Sequence, residues 1–103
     1  MTDLQKIVDL IDVKLADLER DLGPRPESYS AANRDYWDRE KTGLASIADE
    51  LEGTYGAKIK RHNSWEYAMT IGNVRSTCTS GLRGLFRNWQ NAARRRLVEV
   101  ARS

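Results

Sequence analysis

The side chains able to do chemistry in this sequence are mostly cations. Arg83, Arg87, Gln90 and Arg94 recur at steps of four, three and four, which on an α-helix puts them in one row. From Arg83 to Arg94 that row spans about 16 Å, enough to meet several phosphates of a nucleic-acid backbone. Arginine's planar fork suits phosphate, and equally carboxylate. Arg95 follows directly, Asn88 and Asn91 offer amides to a base edge or a partner backbone, and Lys58, Lys60, Arg61 and Arg75 extend the patch if their segment lies alongside. Trp65 and Tyr67, close to those lysines in sequence, could form a stacking platform for unpaired bases. The alternatives are an arginine row that merely solvates its helix and aromatics that belong to the core.

Catalytic and metal chemistry lack their usual residues. Cys78 lies among Ser76, Thr77 and Thr79, but no histidine accompanies it at a spacing that would activate a nucleophile. His62 is the sole histidine and Cys78 the sole cysteine, so no metal site, no internal disulfide and no cofactor are expected from this chain alone. His62 reads as a turn residue and Cys78 as a half-buried structural thiol. There is no Gly-rich phosphate loop followed by Lys and Ser/Thr. The expectation is a protein that binds rather than catalyses.

The elements that must position these residues follow from hydrophobic period. Leu4, Ile7, Val8, Ile11, Leu15, Leu18 and Leu22 fall on one helical face, which predicts a helix from Thr2 to Gly23 opened by a Thr2/Gln5 capping box and Asp3. Gly23 and Pro24 stop it, and GPRPES is a linker. A second helix is expected from Ser28 or Ser30 to about Leu51, with Trp37, Leu44, Ile47, Ala48 and Leu51 buried and Gly53 closing it. The period then changes to two: Tyr55, Ala57 and Ile59 alternate with Gly56, Lys58 and Lys60, and Trp65, Tyr67, Met69 and Ile71 with Glu66, Ala68 and Thr70. His62-Asn63-Ser64 is the expected first turn, Gly72-Asn73 the second, and Val74 to Cys78 a third strand. Residues 65 to 71 could alternatively be helical. A last helix over about 80 to 101 aligns Leu82, Leu85, Phe86, Trp89, Ala93, Leu97 and Val100, with Thr79 or Ser80 as its cap. The expected fold is α+β: a two-helix hairpin, a small antiparallel three-stranded meander and a closing C-terminal helix.

Length and composition bound the rest. The 103 residues, 40% of them hydrophobic, suit a single domain over 1–103. No apolar run approaches the roughly 20 residues that span a bilayer, and the start of the chain lacks a signal-peptide pattern; a cytoplasmic protein with no membrane partner is expected. The net charge of +2 hides a division. Residues 1–53 hold seven Lys/Arg against thirteen Asp/Glu, whereas residues 54–103 hold ten against only Glu66 and Glu99. A surface built for solubility alone would intersperse both signs. Alternatively, the acidic half folds over the basic one and the charges neutralise each other.

The segment GNVRSTCTSGLRGLFRNWQNAARRR, residues 72–96, carries Gly72, Arg75, Ser76 with Thr77 and Thr79, Asn88-Trp89 and Ala92-Ala93-Arg94. In these features it resembles small accessory proteins of alphaproteobacterial phages and prophages, over about a quarter of the chain. The resemblance implies context, a compact non-enzymatic protein of a mobile element, and transfers no functional residue. Three readings are therefore expected to compete. The first is a nucleic-acid-binding accessory or regulatory protein using Arg83, Arg87, Arg94 and Arg95 on phosphates. The second is an inhibitor or adaptor of the anti-CRISPR kind, docking on a host protein that handles nucleic acid. The third is a homodimer joined through acidic and basic faces.

Overall fold

The computed structural model describes residues 3–28, 30–61 and 66–102. Helix α1 runs Leu4–Leu22 and α2 runs Arg34–Tyr55; strands β1 (Lys58–Arg61), β2 (Tyr67–Ile71) and β3 (Val74–Cys78) follow, and α3 (Leu82–Arg102) closes the chain. The architecture is the α+β arrangement that the periodicity predicts. Among the described residues no helix is long and apolar enough to cross a membrane.

Helix boundaries show where local chemistry outweighed the expected signals. Asp3 caps α1 by accepting the Lys6 N–H at 3.0 Å, while Gln5 donates to Asp9 on the next turn rather than reaching back to the helix start. Thr2 lies outside the described residues. Ser30 does not start α2. A short 3-10 turn, Ala31–Asn33, intervenes, and the Asn33 amide donates to the Ser28 carbonyl and the Ser30 hydroxyl, closing the loop. At the other end, α2 passes through Gly53 and stops at Gly56, whose φ of 68° is left-handed. Tyr55 accounts for the extension: it lies four residues beyond Leu51 and packs against the core, so the buried stripe Leu44, Ile47, Ala48, Leu51 continues one turn further. Tyr55 therefore ends a helix instead of opening a strand.

The sheet is an antiparallel meander in the order β1-β2-β3. Gly72 and Asn73, with φ of 56° and 69°, form the turn between β2 and β3, the two positive φ values that a tight hairpin demands. Residues 65 to 71 are thus not helical where described, since β2 begins at Tyr67. The first turn, His62-Asn63-Ser64, lies outside the described residues. Cross-strand partners share a face, and the register Ile59↔Met69↔Ser76 with Ile71↔Val74 defines the inner one. Lys58, Thr70 and Arg75 form one row of the outer face, and Lys60, Ala68 and Thr77 the next.

Helix α3 is the hub, touching β3 and β2 on one side and α1 and α2 on the other. Leu85, Phe86, Trp89 and Ala93 are completely buried. The Trp89 indole N–H donates to the Val74 carbonyl at 3.1 Å, which satisfies its polar edge in the core. The apolar stripe ends short of the C-terminus: Leu97 is half-buried, and Val100 is 65% exposed. Trp37, expected in the core, is half-buried, with Arg25 over its ring at 5.3 Å. The start of α3 also differs from expectation. The Leu85 N–H donates to Gly81, at 3.1 Å, and the Ser80 hydroxyl is engaged with the Cys78 Sγ at 3.0 Å instead of capping the helix.

Candidate anion-binding face

Helix α3 crosses α1 antiparallel, and this decides the fate of the arginine row. Asp12 and Glu19 are seven residues apart on α1 and so share a face. Arg83 donates to the Glu19 carboxylate at 2.7 Å and, through its other terminal nitrogen, to Glu40 of α2 at 3.2 Å. Arg87 donates to one Asp12 oxygen at 2.7 Å and Arg94 to the other at 3.2 Å. Gln90 is fully buried. Its amide N–H groups donate to the Val8 carbonyl and to Asp12, both at 2.9 Å, and its oxygen accepts from Arg87 at 3.0 Å. The row expected to face a partner is thus a partly exposed seam along the junction of α3 with α1 and α2, its cations paired, because the apolar face beside it seats α1 and brings the acidic side chains of α1 and α2 along. Such a seam orders the helices; it does not offer Gln90 or the engaged guanidinium edges to phosphate.

Asp12 is the electrostatic centre of the seam. The Gln90 hydrogen bond, the Arg87 hydrogen bond and the charges of Arg94 and Arg87 together hold its carboxyl below the ordinary range, against an opposing effect of burial. The pairs are partly solvated, with side-chain exposure near 45% at Asp12, Arg87 and Arg94. Each ion pair therefore adds at most about 1 kcal/mol.

The other predicted cations separate into two groups. Lys58, Lys60 and Arg75 stand exposed on the outer face of the sheet, and Arg95 is exposed on α3. One residue after Arg94, Arg95 points about 100° around the helix and away from α1. It lines a groove of about 350 Å³ between α3 and the edge strand β3, together with Arg75, Thr77, Asn88 and Asn91. The Asn88 amide donates to the Thr77 carbonyl at 2.8 Å, tying the helix to the strand edge. Arg61 belongs elsewhere. It pairs with Tyr67 in register, on the inner side of the sheet, and its guanidinium lies 5.8 Å from the ring centre.

Tyr67 is consequently not a platform beside Lys58 and Lys60, because it faces the opposite way and lines a cleft with Trp37, Leu44 and Leu82. Trp65 and His62 lie outside the described residues. Cys78 is half-buried and accepts the Ser80 N–H at 3.3 Å. Among the described residues, no three His, Cys, Asp or Glu side chains converge as a metal ion would require. Thr70 and Thr77, which the sequence reading did not select, complete the outer face; the period-two pattern that places Met69 and Ile71 inward was the signal available for them. No family model matches the chain, and neither does any curated protein or solved structure.

Proposed function

We propose that this chain is a non-enzymatic binding protein that holds nucleic acid on the face built from Lys58, Lys60, Arg75 and Arg95. The resemblance of residues 72–96 supplies the setting, an accessory or regulatory protein of a phage or other mobile element. One observation carries the reading. These four cations come from three different elements and form no ion pair among the described residues. The carboxylates that silence Arg83, Arg87 and Arg94 do not silence them. Their use on phosphate would release counterions and give binding that weakens steeply with salt.

Fluorescence anisotropy with labelled DNA and RNA at two salt concentrations tests this. Binding at low salt, weakened by the Arg75→Glu/Arg95→Glu pair and unaffected by Asp12→Asn, is the expected result. Equal binding by the charge-reversed pair and the parent protein would refute the face.

A second reading is favoured by the exposed acids along the helices, among them Asp9, Asp21, Asp38, Asp49 and Glu52. They could mimic a nucleic-acid backbone toward a host protein that handles nucleic acid, making the chain an inhibitor of the anti-CRISPR kind. In that case the anisotropy experiment would detect no DNA or RNA binding at either salt.

A further inference from the structure

We infer that the face takes duplex nucleic acid by its phosphates alone, without reading bases, and that the groove between β3 and α3 seats one of those phosphates. This rests on the reading given above and narrows its ligand.

Three observations lead to it. First, the groove brings two arginines from different elements, Arg75 of β3 and Arg95 of α3, to one open polar recess of about 350 Å³. Each guanidinium presents a planar donor fork that matches a phosphate's oxygens. Neither forms an ion pair among the described residues. The recess is therefore a cationic seat with its donors unspent.

Second, the outer face continues the charge away from that seat. Thr70 stands between Arg75 and Lys58 in register, so the two cations are separated by two strand spacings, about 10 Å. Lys60 lies two residues along β1 from Lys58. A duplex carries one charge per about 1.7 Å of its axis with both strands counted, or about 3.4 Å along each strand, so about three phosphates of one strand fall within a length equal to this row. The sheet is thus wide enough to meet more than one phosphate at once.

Third, the described outer face carries no aromatic ring. Its strand residues are Lys58, Lys60, Ala68, Thr70, Arg75 and Thr77, whereas Tyr67 lies on the opposite face and Trp89 is buried. Proteins that prefer single strands draw affinity from bases stacked on aromatic side chains, and among the described residues the outer face offers no such ring. Of the two amides that line the groove, Asn88 already donates to the Thr77 carbonyl, and the Asn91 oxygen accepts from Arg94 at 3.5 Å. Contacts restricted to phosphate fix position and carry no direct sequence information.

The test uses the full chain and a panel of labelled oligonucleotides: two duplex DNAs of unrelated sequence, the corresponding duplex RNA, and the separate single strands. Anisotropy is read across a salt series. The expected result is similar affinity for the two duplex DNAs, weaker binding of the single strands, and a log–log salt slope between about −2 and −4, as for two to four phosphate contacts. Arg75→Ala/Arg95→Ala, with its fold checked by circular dichroism, should flatten the slope by about 1, the share of the one phosphate that the two arginines seat. Tighter binding of single strands, or a preference of about tenfold or more between the two duplexes, overturns the inference while leaving the nucleic-acid reading standing. An unchanged slope in the double variant overturns the groove as the seat. Failure to bind any member of the panel removes both.

Discussion

Gln90 illustrates how a polar residue can be selected by spacing and still be misplaced by it. Its interval from Arg87 and Arg94 puts it in their row, yet it is buried, with both ends of its amide engaged by α1 and Arg87. Gln90→Met keeps the length and removes the amide. It should cost about 1–3 kcal/mol, because the groups that the amide served lose a buried partner; a fall in the urea midpoint measures this. Asp12 gives the seam its pH dependence. Its folded pKa is depressed by Gln90 and the arginines, so its stabilisation is present above the unfolded value of about 3.9 and is lost as pH falls through the lower folded value. The stability difference between the parent protein and Asp12→Asn should accordingly be flat from about pH 5 to 8 and shrink below about pH 4. Chemical denaturation at a series of pH values checks it, and a gap that widened toward acid would contradict the seam.

At the scale of elements, α2 makes the sharpest prediction, because its two C-terminal glycines have opposite roles. Gly53 is helical, exposed and faces open space, while Gly56 holds a φ of 68°. Gly53→Ala should stabilise by about 0.8–1 kcal/mol through helix propensity. Gly56→Ala should destabilise by about 1 kcal/mol, since a side chain in the left-handed region is strained. Thermal melts of the two variants decide it, and a helix closing at Gly53 would make Gly53→Ala destabilising instead. The same helix shows what periodicity reveals and conceals. The faces of α1 and α3 and the Gly72-Asn73 turn were legible because period and turn chemistry agreed. The end of α2 was not, because Gly53 competes as a stop signal while Tyr55 continues the buried stripe, and only packing decides between them. The candidate site was legible in part: Lys58, Lys60, Arg75 and Arg95 were identifiable as cations, but their common exposure depends on which face of α3 receives α1, and no single helix encodes that.

At the scale of the whole molecule, the cations of α3 divide in two. Arg83, Arg87 and Arg94 pair with carboxylates of α1 and α2, whereas Arg95 forms no ion pair among the described residues and is the one the proposed function assigns to an anion. One alternative is that the acidic front acts as a removable cover, with salt or a polyanion displacing α1 and releasing Arg87 and Arg94. Magnitudes argue against it. Removing α1 would expose Ile7, Val8, Ile11 and Leu15, each at most 1% accessible, at a cost of about 1.5–3 kcal/mol per side chain. The half-exposed ion pairs that salt can weaken contribute at most about 1 kcal/mol apiece, so apolar burial keeps α1 docked when they are screened. Raising salt from low to about 0.5 M should therefore change the unfolding free energy by less than about 2 kcal/mol, while nucleic-acid binding falls steeply. Hydrogen exchange on the α1 amides at both salt concentrations separates the two pictures. Protection that persists in high salt keeps the proposed binding face on the sheet and the outer side of α3, whereas α1 amides that exchange freely while the rest of the core stays protected would mean that the arginine row is released from its carboxylates.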